Sequence, residues 1–146
     1  MKYFYALRKA IYVKFASSQV AGTVYAAVSG RMRFAHVPND WTLKDDPYIV
    51  YNVVDSVPFG TFGIVTAGNA RVSFTVWDGS NSATTAEDVG NKLCTLFDDC
   101  VLAYTASTLS HISVTRLNSI GPEWVQDEAG GGAWRLVIDY EVRAEE

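Results

Sequence analysis

This sequence is poor in residues that react or bind metal: its 146 residues include two cysteines and two histidines. Cys94 and Cys100 stand six apart on a predicted helix, roughly 9 Å along its axis, which is too far for a disulfide bond. Both therefore read as reduced thiols of a cytosolic product. His36 and His111 have no second His, Cys or acidic residue at ligand spacing, so neither marks a metal site. No apolar run comes near the roughly 18 residues that span a bilayer. A secretory leader is not expected either, because Arg8, Lys9 and Lys14 interrupt what would be its apolar region.

Charge is scarce too, at 19% of residues against about 25% in an ordinary soluble domain, which leaves apolar surface to meet other subunits. The formal charge of −4 and pI near 5.1 disfavour a protein that grips nucleic acid, since phosphate contacts need clustered Lys and Arg. Motifs that carry chemistry are missing: there is no nucleophile elbow, zincin pattern or CxxC pair. Asp45-Asp46 and Asp98-Asp99 are neighbours in sequence, but adjacent side chains point apart on a helix or strand. Asp78-Gly79-Ser80-Asn81 lacks the repeated acids of a calcium loop. Gly130-Gly131-Gly132 leads into a strand, without the helix N-terminus that turns a glycine loop into a phosphate cradle. The expectation is a protein with no catalytic, cofactor-binding or metal-binding residues, and not an enzyme.

What the chain does have is packing. At 49% hydrophobic residues it can bury a sizeable core as a single domain over 1–146. The clearest stretch is Asn69 to Asp99. Val72, Phe74 and Val76 alternate with Arg71, Ser73 and Thr75, the two-residue period of a strand burying one face. Asp78 to Ser82 ends it. Thr84, with Glu87 three residues on, predicts a capping box, and Ala86, Val89, Leu93, Leu96 and Phe97 then follow on one helical face. Near the N-terminus Phe4, Leu7, Ile11 and Phe15 predict an amphipathic helix over 2–16. A short helical turn follows within Val20 to Val28, then a strand over Arg31 to Val37. Tyr48 to Val54 is apolar on both faces, as in an inner strand.

Two connections stand out. Asp55 to Gly68 is glycine-rich and apolar, fit for a long hairpin or for a loop that orders against a neighbour. Asn118 to Gly132 joins a strand around Ile112 and Val114 to the closing strand of Trp134, Leu136, Ile138, Tyr140 and Val142. These elements predict an α+β fold: a mainly antiparallel sheet of four or five strands with two principal helices packed on one side.

Their order, from ALRKAIY in the first helix through YIVYNVV, RVSFTVWD and AEDVGNKLCTLFDD to the closing WRLVIDYEVRAEE, resembles the tail-completion or tail-terminator proteins of tailed bacteriophages. The strand ending in VW, the polar break, the alanine-rich helix start and the closing strand of alternating acids and arginines are similar to that family over nearly the whole chain. The resemblance implies a structural protein that forms a ring, a hexamer, at the head-proximal end of the tail tube. It would be assembled in the host cytoplasm and carried in the virion. There it would stop tube polymerisation and offer a surface for joining the head. The implied partners are further copies of itself, the tail tube protein and the head connector or neck proteins. DNA would pass through the lumen without specific binding, and neither a cofactor nor a membrane is implied. The chain departs from shorter members in its two long connections. These supply the candidate assembly interface: Phe59, Phe62 and Ile64 in the first, and Glu123, Trp124, Asp127 and Glu128 in the second. Two other readings stay open, namely another head-to-tail connector of the adaptor or stopper kind, and a small-ligand-binding α+β domain.

Overall fold

The structure, a computed structural model, describes residues 4–38, 41, 47–61, 64–105, 107–126 and 130–146, with the backbone alone for 55–67. Helix α1 (Phe4–Phe15) buries Leu7, Ala10, Ile11 and Phe15, the face that the apolar spacing predicts. Lys14 in its last turn meets the partial negative charge of the helix end. Helix α2 (Val24–Ala27) is capped by Thr23, whose Oγ1 accepts from the Ala26 amide at 3.4 Å and donates to the Val20 carbonyl at 2.8 Å. Strand β1 (Met32–Phe34) is shorter than the predicted 31–37, because Ala35 leaves the extended region for a φ of 68°.

Strands β2 (Tyr48–Thr61) and β3 (Ile64–Asp78) pair along almost their whole length, so the backbone of the first long connection takes the hairpin alternative. At the end of β3 the buried Asp78 carboxylate accepts from the Ser80 amide at 3.3 Å and its hydroxyl at 2.5 Å, closing the turn. Helix α3 (Thr84–Phe97) starts one residue earlier than the capping box requires. Its N-cap is Ala83, which has no side chain to offer, and the Thr84 amide donates instead to Ser82 Oγ at 3.3 Å. That shift moves Glu87 one place beyond the position from which it could reach back, so the box does not form. Cys100 lies beyond the end of this helix, and both cysteines are free thiols.

Strands β4 (Ser110–Gln126) and β5 (Gly132–Glu145) form the second hairpin. Most of the predicted connection over 118–132 is therefore strand. Between Ile120 and Glu123 the register shifts by one residue, a bulge that accommodates Pro122, which has no N–H to give to a ladder. Gly121 there has a φ of 103° and sits against the Arg135 carbonyl, where no Cβ would fit.

The sheet order is β1-β2-β3-β5-β4, with β1 parallel to β2 and every other pair antiparallel. The α+β expectation of a mainly antiparallel five-stranded sheet under helices holds. One face carries Ile49, Tyr51, Val72, Phe74, Val76, Leu136, Ile138 and Tyr140 into a common core with Leu7, Ile11, Phe15, Val89, Leu93 and Phe97 of the helices. The Phe74 ring lies at its centre, 4.8 Å from Phe97 and 5.9 Å from both Tyr51 and Tyr140. Such ring pairs each add about 0.5–1.5 kcal/mol beyond simple burial.

Candidate functional site

The face of the sheet turned away from the core is a ladder of cross-strand rows. Tyr48, Trp77, Arg135 and Glu123 form one row, Val50, Thr75, Val137 and Ile120 the next, and Asn52, Ser73, Asp139 and Asn118 a third. Opposite charges meet along it. Arg71 donates to the buried Asp139 at 2.6 Å, Asn69 to Glu141 at 3.0 Å, and Arg143 to Glu141 at 2.9 Å, while Arg135 pairs with Glu123. A shallow concavity of about 550 Å³ lies over parts of all three rows. Arg135 in its lining is held by Glu123, and exposed pairs of this kind contribute about 0.2–1 kcal/mol each. Among the described residues no three His, Cys, Asp or Glu are placed to hold a metal ion.

The predicted interface residues fall in two separate places. Phe59 and Ile64 belong to the tip of the β2–β3 hairpin, where Phe59 pairs with Ala67 and Ile64 with Thr61; only their backbone is described. Phe62, Asp127 and Glu128 lie outside the described residues. Glu123 and Trp124 sit on β4 opposite Arg135 and Trp134, with the two indoles edge to face at 5.4 Å. Trp124 is 47% exposed. The hairpin tip lies beyond the row that pairs Ala67 with Glu145, whereas Trp124 is level with Asp78 and Trp134. The structure thus keeps the two groups apart, at opposite ends of the strands and roughly 35 Å from each other.

The most strongly perturbed ionisable groups are near the end of α3. The Tyr140 hydroxyl donates to Asp98 Oδ1 at 2.7 Å; burial first, and this bond second, push its pKa far up. Arg116 approaches the same Asp98 at 3.5 Å and donates to Cys94 Sγ at 3.2 Å, and the thiol's proximity raises the guanidinium's pKa. Burial pushes Tyr104 up to about 12, and its hydroxyl has no partner among the described residues. His111 Nδ1 accepts a long bond of 3.4 Å from the Leu102 amide, and burial lowers this histidine's pKa. These contacts tie α3 and the segment after it to the sheet. Asp98 thus gathers the Tyr140 hydroxyl and the Arg116 guanidinium, and Arg116 also reaches the partly exposed Cys94 thiol, an arrangement suited to holding elements together.

One further feature escaped the motif search. Between α1 and β1 runs a groove of about 440 Å³ lined by Tyr5, Arg8, Lys9, Tyr12, Arg33 and Phe34, among others. The Arg8 guanidinium lies 4.2 Å from the centre of the Phe34 ring, and the Tyr51 hydroxyl donates to the Arg8 carbonyl at 3.3 Å. Tyr5 is 69% exposed. The sequence signal that points here is that residues 1–38 contain no Asp or Glu.

The described chain is thus an α+β fold with an open, self-paired sheet face and exposed apolar groups on a long edge strand. No protein-family model matches the chain, and no curated protein matches it in sequence. Among solved structures it is similar to a chain from the virion of a native gene transfer agent particle, at 14% identity and a TM-score of 0.73 over 96% of this chain and 95% of that one. A second solved structure is also 14% identical, with a TM-score of 0.56 over 94% of this chain and 93% of its own. At that identity the likeness is one of fold.

Proposed function

We propose that this protein is a structural component of a phage-like virion, working by assembly and not by catalysis. The observation that carries this reading is the fold shared end to end with a chain of the gene transfer agent virion. More finely, it acts as a tail terminator. A ring of copies, a hexamer, caps the head-proximal end of the tail tube, stops its growth and presents the surface on which the head's connector or neck proteins dock. The separation of the two candidate interface segments supports this. A capping ring needs one contact toward the tube and another toward the head, and the β2–β3 tip with Phe59 and Ile64 lies at the opposite end of the strands from Glu123 and Trp124. The tip serves the tube or a neighbouring subunit, and the segment from Glu123 through Asp127 and Glu128 serves the connector side. An acidic chain suits a lumen through which DNA passes without adhering.

The test is to add the purified protein to growing tail tubes of its particle and image them. Tubes that stop at a shortened length, each with a ring of this protein at one end, are the expected result. Tubes that elongate unchanged and carry none of it would end the terminator reading. Binding to heads but never to tubes would move the role to an adaptor or stopper of the connector.

A further inference from the structure

Charge is distributed unevenly over this acidic chain. Residues 1–38 hold Lys2, Arg8, Lys9, Lys14, Arg31 and Arg33 and no acid, so all 16 acids of the sequence lie after them. Among the described residues no carboxylate pairs with Arg8, Lys9 or Arg33, and the Arg8 Nε is buried without an acceptor. All three of these cations border the groove between α1 and β1.

The groove offers two kinds of contact. The buried Met32 and half-buried Phe34 make an apolar floor, whereas Tyr5, Lys9, Tyr12 and Arg33 are exposed around it. Along α1 it runs from Tyr5 to Val13, roughly 12 Å, which is the span of about four extended residues. Its arginines lie against rings: Arg8 is 4.2 Å from the centre of Phe34, and Arg33 is 5.5 Å from that of Trp41. A guanidinium stacked in this way keeps the N–H donors of its own plane for a carboxylate.

We infer that this groove binds a short acidic segment of a different protein, with its carboxylates against Arg8, Lys9 and Arg33 and its apolar side chains on Phe34 and the tyrosine rings. The uncompensated cations select an acidic partner and set its register, and the covered rings add apolar burial. This chain offers no such segment among its described residues. In each sequence pair of acids one is already held, Asp88 by Lys92, Asp98 by Arg116 and Glu146 by Thr108, and on the sheet Glu123, Asp139 and Glu141 are held by arginines. Nucleic acid is the weaker occupant. Three cations over so short a groove, on a chain of net charge −4, release few counterions from a phosphate chain, and the floor of Met32 and Phe34 offers phosphates nothing.

The experiment measures fluorescence anisotropy of three labelled probes against the full chain: a hexapeptide of alternating Glu and Leu, its Gln and Leu counterpart, and a short oligothymidylate. Two variants are altered at exposed positions of the groove, Lys9→Glu with Arg33→Glu and Tyr5→Ser with Tyr12→Ser, and circular dichroism checks that each is folded. The acidic peptide is expected to bind about tenfold or more tightly than its Gln counterpart, and each variant to weaken it by about tenfold or more. Its affinity should also fall as salt rises. Equal binding of the two peptides, or acidic-peptide binding that survives either variant, would overturn the inference. Oligothymidylate bound more tightly than the peptide and released by the charge variant would give the groove to nucleic acid. Self-association lost in the charge variant, with no peptide bound by the unaltered protein, would give it to a second copy; both results overturn the inference as well. The terminator reading is decided separately, by whether tubes are capped, so the failure of one leaves the other standing.

Discussion

Two tyrosines show how the same group acts with opposite sign according to whether its hydroxyl has a partner. Tyr140 is fully buried and donates to the Asp98 carboxylate at 2.7 Å; a hydrogen bond to a charged group contributes about 1.5–3 kcal/mol. Tyr140→Phe should lower stability by that amount in urea denaturation. The Tyr104 hydroxyl is buried with no partner among the described residues, so Tyr104→Phe removes an unmet polar group and should be neutral or stabilising. A clear loss of stability in Tyr104→Phe would show that the hydroxyl has a bonded partner.

His111 gives a dependence on pH. Burial lowers its pKa in the folded chain below the ordinary 6.5, so between those two values the unfolded chain binds the extra proton and the folded one does not. Its contribution to stability is therefore present above pH 6.5 and is lost as pH falls through the lowered folded value. Unfolding midpoints compared between about pH 7 and pH 5 should fall less in His111→Gln than in the unaltered protein. Equal slopes for the two would show that the imidazole is solvated in both states.

At the scale of elements, legibility followed how local the deciding interactions are. The strand from Arg71 to Trp77 and the helix after it could be read because alternation and helical spacing are intrinsic to the segment. The cap of α3 could not, since moving it by a single residue to Ala83 dissolves the Thr84–Glu87 pattern. The far half of β4 was equally hidden. The sequence reads 118–132 as a connection, and the strand is continuous through Gly121 and Pro122 because β5 supplies partners on both sides of a bulge. The candidate interface residues were legible only as exposed-looking aromatics and acids outside regular patterns; that Phe59 and Ile64 lie at one end of the sheet and Glu123 and Trp124 at the other depends on register. The groove between α1 and β1 was hidden for another reason, because its residues are interleaved with core residues of the same helix.

Gly90 shows how closely two of these elements approach. A Cβ on it would collide with Leu136 Cδ2, with Ile138 Cδ1 in contact at 3.6 Å. A branched side chain there cannot be absorbed by one methyl moving aside, and overfilling a packed core costs about 1–3 kcal/mol. Gly90→Val should lower the melting temperature by several degrees, at roughly 2–4 °C per kcal/mol for a chain of this size. A melting temperature that does not move would mean that α3 can slide over β5.

For the whole molecule the sheet acts as a frame: the β2–β3 tip and the Trp124 end of the β4–β5 hairpin lie at opposite ends of the strands, roughly 35 Å apart. Substitutions that far apart with no shared partner act independently, so the terminator proposal predicts a different defect from each end. Phe59→Ser with Ile64→Ser should give overgrown tails, because on that proposal the tip serves the tube, whereas Trp124→Ala should give tails of the correct length that fail to join heads. Electron microscopy of particles assembled with each variant reads both tail length and head attachment, and the same defect from both variants would mean that the two ends do not serve separate partners.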